Sequence, residues 1–407
     1  MEIFMDYSLL AKKYGTPLYA YDFDYIQNQY NKLKKEFNAR KSLICYALKA
    51  NSNLSLLKHI ADLGAGFDCV SIGEVKKAIL AGAQNYKIIY SGVGKSDEEI
   101  EEALNLDILM LNLESEEEMK RVESIAKKLN KKARISVRVN PNVDPKTHPY
   151  ISTGLSKNKF GVGIEKARKM YLYAHKSEFL DPVGIHFHIG SQLTDLKPVI
   201  EAANIVSDLL RELKALDIDI KFFDVGGGIG IRYENEKDPD LYGYAQGILV
   251  ALKGEDITII CEPGRFLVGN AGVFITKVLY EKINDTHSDD KKRFIIVDGA
   301  MNDLLRPSLY EAHHEIIALN SGEKELCDVV GPICESGDFL GKNVNLPKQS
   351  SGDILVVKSA GAYGFCMSSN YNSRLRTAEV AVCGGKDRLI RQRESFEDLV
   401  KNEKEFI

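Results

Sequence analysis

The 407-residue chain has no apolar run approaching the ~18 residues that span a bilayer, and its start, MEIFMDYSLLAKKYG, lacks the basic stretch and long apolar segment of a secretion signal. Neither membrane insertion nor export is expected, and the expected location is cytoplasmic. There is no CxxC pair among the seven cysteines, an odd number, so neither a disulfide framework nor a zinc site is expected. Cys45, Cys69 and Cys383 are expected to be small buried hydrophobes. No tail concentrates charge: the formal net charge of −4 is spread along the chain, which argues against a nucleic-acid surface or a membrane-docking patch. A GxxxxGK[ST] loop is missing, which argues against a nucleoside triphosphate. Without short repeats or low-complexity linkers, a composition of 44% hydrophobic and 28% charged residues is that of a globular protein working on small molecules.

What is present is a rhythm. From about residue 30 to 268, apolar or β-branched runs alternate with amphipathic stretches. The strand candidates are SLICYAL, GFDCVS, YKIIYS, ILMLNLE, RISVRVN, VGIHFHIG, FFDVGGGIG and ITIICEPG. Between them lie helix-like segments such as LSLLKHIADLG, GEVKKAILAGA and KPVIEAANIVSDLLRELKAL, and Ser96 and Ser115 precede acidic first turns as N-caps do. Eight such units in roughly 240 residues suit a (β/α)8 TIM-type barrel, with a doubly wound open sheet as the alternative. After about residue 270 strand-like runs take over: GVFITKVLYEK, RFIIVDG, EIIAL, ELCDVVG, DILVVKSAG and AEVAVCGG. They predict a C-terminal β-sandwich or β-barrel domain. TPLYAYDFD precedes the first βα unit and is a candidate to join that domain. The expected class is therefore α/β, with a barrel over 30–268 and a β domain from 1–29 plus 269–407.

A barrel places its chemistry at the C-terminal ends of its strands. Lys49 follows the first strand, His188 the sixth, Gly226, Gly227 and Gly228 the seventh, Glu262 and Arg265 the eighth. Singly, each has a plain structural reading: Lys49 as a snorkelling strand-end lysine, the glycines as a turn needing positive φ. On one rim they suggest more. Glycines let backbone amides approach an anion, and barrels commonly hold phosphate after strands seven and eight. A lysine, a phosphate cradle and a carboxylate are what pyridoxal phosphate requires. HFH at 186–188 has the look of a metal pair, but no carboxylate-rich set accompanies it in sequence, so no metal is expected. The acidic runs DEEIEE and ESEEEMK are expected to be solvated helix faces.

YALKAN, HIGSQ, DVGGGIG, CEPGR, DLLRPSLY, VGPICESGD and GAYGFCMSSNYN, in this order over essentially the whole chain, resemble the alanine-racemase-like, fold type III pyridoxal-phosphate decarboxylases, in the branch acting on meso-2,6-diaminopimelate. The resemblance implies a carboxy-lyase yielding L-lysine and CO2; related decarboxylases of carboxynorspermidine or a basic amino acid, and a non-catalytic regulator on the same fold, are the alternatives. It implies that Lys49 holds the cofactor covalently, that His188 lies on the ring face and that Glu262 meets the ring nitrogen. Ser191, Gly227, Gly228, Gly264 and Arg265 of the EPGR turn would bind phosphate. Arg265, Arg306 and Tyr310 would surround the distal carboxylate and Glu335 the distal amine. Tyr363 would touch cofactor and substrate, and Cys334 would return a proton. It further implies a homodimer in which Cys334, Glu335 and Tyr363 complete the partner's site. HPYISTGLSKNKF, 148–160, resembles the family's loop after strand five, a candidate to close over substrate.

Overall fold

The computed structural model describes residues 5–144, 159–285 and 291–407; residues 148–158 of the candidate closing loop lie outside these. The chain divides into two compact units, Gln27–Ile231 with Lys237–Leu267, and Met1–Ile26 with Arg232–Glu236 and Val268–Ile407.

The strands, in chain order, begin with β1 (Leu18–Asp22), which belongs to the second unit. The first unit contains β2 (Ser42–Ala47), β3 (Gly66–Cys69), β4 (Ile88–Tyr90), β5 (Met110–Leu113), β6 (Ala133–Asn140), the two-residue β7 (Val162–Gly163), β8 (Leu180–His186), β9 (Phe222–Asp224) and β10 (Thr258–Cys261). Each of the eight main strands pairs in parallel with its neighbour, β5 joins β6, and β10 returns to β2, closing a (β/α)8 barrel in place of an open sheet. All eight expected strands are there. Cys45, Ile89, Met110, Val183 and Ile260 form an apolar cluster within it.

The helices form for local reasons. Ser96 accepts the Glu99 amide while Glu99 accepts that of Ser96, a full capping box on Asp97–Asn105; such a cap contributes about 1 kcal/mol. Ser115 caps Glu116–Lys128 through the Glu118 amide. Helix Leu241–Ala251, absent from the sequence reading, carries two glycines that weaken its intrinsic propensity. A Cβ at Gly247 would lie 2.6 Å from Ile200, so tertiary packing overrides that propensity.

The second unit is built on a nine-stranded mixed sheet: β1, β11 (Gly272–Asp285), β12 (Lys291–Val297), β13 (Ile316–Ala318), β14 (Lys324–Val330), β15 (Phe339–Pro347), β16 (Ile354–Val357), β17 (Ala378–Cys383) and β18 (Lys386–Arg391). β1 sits between β11, antiparallel, and β17, parallel, and its Leu18, Tyr19, Ala20 and Tyr21 are fully buried. Cys45 and Cys69 are buried as expected, but Cys383 is exposed: it ends β17 where Gly384 and Gly385, both at positive φ, turn the chain into β18. Among the described residues no helix is long and apolar enough to cross a membrane.

Candidate active site

The barrel's strand ends carry a ring of polar groups. β2 runs directly into a 3-10 turn, Leu48–Ala50, in which Leu48 and Ala50 are buried and Lys49 is exposed. The buried strand therefore hands its lysine outward onto the rim, and the apolar flanks hold the turn in place. The Lys49 charge reaches Asp68, Glu74, His188 and Glu262, influencing the ionisation of each.

Glu262 follows β10, is buried, and lies 3.4 Å from His186 Nε2 through one oxygen, while its Oε1 is buried without a hydrogen-bond partner. Burial raises its pKa, but the imidazole of His186 and the ammonium of Lys49 outweigh burial and hold it at about 2. One ligand atom each of His186, Asp224 and Glu262 lies within 4.8 Å of the others, so HFH does have carboxylate company that the sequence left unseen. Asp224 carries the opposite shift: burial, then the Glu262 carboxylate, push it well above the usual range. Asp68 rises to about 7 for the same two reasons and accepts from Ser91 at 2.7 Å. Close carboxylates cannot all ionise, so one charge settles on Glu262.

Gly226 and Gly228 have φ of +67° and +101°. A Cβ at Gly227 would meet the Glu262 carbonyl at 2.2 Å, and one at Gly228 the Gly190 carbonyl at 2.4 Å. Three strand-end backbones thus converge, a geometry open only to glycine. The Gly227 amide donates to His188 Nδ1 at 3.1 Å, which makes Nδ1 the acceptor and leaves the proton on Nε2. Burial, then the cations Lys49 and Arg138, depress His188 well below its usual pKa, keeping the ring neutral. Arg265, opening the short helix Arg265–Val268, donates through Nη2 to Ser191 Oγ at 3.1 Å. Gly264 admits the Ala47 and Ala50 side chains, whose Cβ atoms would be 3.3 and 3.1 Å from a methyl there.

The ESEEEMK run departs from its expected solvated role at two places. Glu114 is buried and pairs with Arg138 at 2.8 Å; its second oxygen accepts the Gly161 amide at 2.6 Å, while Arg138 donates to the His188 carbonyl at 3.2 Å. Glu118 meets the buried Lys95 at 2.7 Å. Glu114 and Glu118 turn inward to accept the Gly161 and Glu114 amides, while their partners Arg138 and Lys95 donate to the His188 and Asn112 carbonyls.

The second unit gathers its own set. Helix Arg306–Tyr310 holds the buried Arg306, and its Ser308 hydroxyl donates to the Gly337 carbonyl at 2.6 Å. Asp338 accepts the amides of Met301 and Ile333, each at 2.7 Å, fixing the turn that presents Cys334 and Glu335, both exposed. The Cys334 amide donates to Asn372 Oδ1 at 3.0 Å, and the Tyr371 hydroxyl to Glu335 at 2.8 Å. Tyr310 and Tyr363 are half-buried, Tyr363 with φ +57°. Sequence reasoning missed Asp68, Asp224, Arg138, Glu114 and Tyr371; for the two aspartates the available signal was an acid inside an otherwise apolar strand.

Known proteins were compared with this chain. Residues 23–269 match the family described as "Pyridoxal-dependent decarboxylase, pyridoxal binding domain". A diaminopimelate decarboxylase of Campylobacter jejuni is 64% identical over 99% of this chain and 100% of its own length, and one of Helicobacter pylori 56% identical over 97% of each. The crystal structure of Helicobacter pylori diaminopimelate decarboxylase complexed with L-lysine superposes with a TM-score of 0.95 at 56% identity, covering 99% of this chain and 100% of that one.

Proposed function

We infer the activity from a plain premise: the chain belongs to the diaminopimelate decarboxylase family of pyridoxal-dependent enzymes. It removes one carboxyl group of meso-2,6-diaminopimelate as CO2 and leaves L-lysine, the last step of lysine biosynthesis, with pyridoxal 5'-phosphate as cofactor. When bound, pyridoxal phosphate supplies the electron sink for the bonding pair released as CO2 departs.

The barrel residues suit that group. An ionised carboxylate with one buried, unpartnered oxygen, Glu262 Oε1, calls for a cationic donor, and a protonated ring nitrogen is one. That observation carries the assignment of the ring position. Lys49 would anchor the cofactor through Nζ, and the neutral His188 would cover a ring face without adding a competing charge. Ser191, Gly227, Gly228, Gly264 and Arg265 would receive the phosphate, Arg265 both as a cation and through its bond to Ser191.

In the second unit, Arg306 and Tyr310, together with Arg265, would bind the distal carboxylate, Glu335 the distal ammonium, and Tyr363 would meet cofactor and substrate. A substrate without the distal carboxylate would forgo its charge-assisted hydrogen bonds to these arginines, each worth about 1.5 to 3 kcal/mol. Cys334 would return the proton to the carbon that lost CO2. The enzyme would act as a homodimer in the cytoplasm, with Cys334, Glu335 and Tyr363 of each chain serving its partner. Their exposure, or half-exposure for Tyr363, in the single chain supports this.

The test is CO2 release by the cofactor-loaded enzyme from meso-diaminopimelate, carboxynorspermidine, ornithine and arginine side by side. Preference for meso-diaminopimelate is expected; faster release from carboxynorspermidine would overturn the reading.

A further inference from the structure

Arg306 does not stand alone in the second unit. Its Nη1 lies 2.9 Å from His314 Nε2, and His314 Nδ1 lies 2.9 Å from the Lys358 carbonyl. A guanidinium has only donors and a carbonyl only acceptors. The two contacts together therefore admit one state of the imidazole: a neutral ring whose Nδ1 proton goes to Lys358 and whose Nε2 lone pair receives Arg306. The guanidinium carbon also sits 4.8 Å from the centroid of the Tyr233 ring, and that ring meets His314 edge-on at 5.5 Å. Arg306 and His314 are both buried. The guanidinium is thus held by the His314 acceptor and by the Tyr233 ring face, two constraints that orient a planar fork.

We propose that His314 is a positioning residue for Arg306, orienting the guanidinium fork toward the distal carboxylate of the substrate, with Tyr233 as the second wall. This rests on the reading of Arg306 as a distal-carboxylate ligand. The catalytic groups Lys49 and Cys334 are untouched by it, so the effect falls on binding of the carboxylate end. His314 meets Arg306 through a single ring nitrogen, Nε2. The structure gives a reason for HEI following RPSLYEAH: a histidine eight positions beyond the arginine closes back on it once the short helix has turned.

The test uses the holoenzyme. His314→Phe keeps a ring edge for Tyr233 and removes the acceptor; losing one hydrogen bond to a charged group is expected to raise KM for meso-diaminopimelate roughly 10- to 100-fold with kcat near wild type. His314→Gln puts an amide oxygen near the Nε2 position and is expected to restore most of the KM. Two inhibitors separate orientation from general damage: L-lysine carries the carboxylate that Arg306 would hold, and 1,5-diaminopentane lacks it. His314→Phe is expected to weaken L-lysine and spare the diamine. Should His314→Phe not fold, His314→Asn, too short to reach Arg306, carries the same expectation. A wild-type KM in His314→Phe and His314→Asn, equal weakening of both inhibitors, or a His314→Gln loss as deep as that of His314→Phe overturns the proposal. Arg306→Leu separates the two levels. If it leaves L-lysine binding intact, the ligand reading of Arg306 fails and takes this proposal with it; if it weakens L-lysine while the histidine variants do not, this proposal alone fails.

Discussion

Removing the Glu114 carboxylate deprives the buried Arg138 of its counter-charge inside the barrel rim. The pair is 2.8 Å apart with side chains only 1% and 8% exposed, so the stranded guanidinium has no water to return to. Breaking such a pair from one side costs about 3 to 5 kcal/mol, against about 1 or less for a surface pair. The Gly161 amide loses its acceptor as well. Glu114→Ala is therefore expected to lower the thermal unfolding midpoint by roughly 6 to 20 °C for a unit of this size, followed by circular dichroism. Replacing both partners with apolar side chains, Glu114→Leu with Arg138→Met, is expected to recover much of the loss, because the penalty comes from the uncompensated charge. Since Arg138 also holds the His188 carbonyl, Glu114→Ala is expected to retain pyridoxal phosphate less tightly on dialysis. A midpoint within about 2 °C of wild type, or a double variant less stable than Glu114→Ala, would refute the reasoning.

Three further outcomes are expected. Lys49→Ala should lose the visible absorption band of the covalently held cofactor, and a band that persists removes Lys49 from the anchoring role. Cys334→Ser should lower kcat by about 100-fold or more with that band retained; a kcat near wild type means that the proton comes from elsewhere. Asp303 is buried, and burial lifts its pKa to about 7. The folded state therefore binds a proton that the unfolded chain has already released, so stability falls as pH rises from about 4 to about 7, by up to about 4 kcal/mol. Asp303→Asn should flatten that slope in denaturant titrations at a series of pH values, and an unchanged slope would trace it to other groups.

The barrel was legible because its evidence is local and periodic: eight apolar runs, helices with caps such as Ser96, and glycines where strand ends meet. The membership of TPLYAYDFD in the second sheet was also readable, from its place ahead of the first βα unit. Less legible was β15, FLGKNVNLP, whose glycine, asparagines and proline hide a strand at the end of the sheet order. The rim carboxylates were least legible. Asp68 and Asp224 matter through Glu262, a partner distant in sequence, and the division of charge among them follows from burial and mutual repulsion that spacing does not encode. Glu114 misled for the same reason: in sequence it opens an acidic run, and only the fold turns it toward Arg138. For Cys383, cysteine's usual packing as a small hydrophobe suggested burial, whereas its place at a hairpin turn decides its exposure.

The placing of β1 has a consequence for synthesis. Leu18 pairs with Ile275 on one side and Ala378 on the other, so a ribosome that has delivered all eight barrel strands has made neither neighbour. The barrel by then has every strand it needs, while LYAYD waits with both edges open. Until β11 and then β17 emerge, this five-residue segment offers open strand edges on which another molecule can pair.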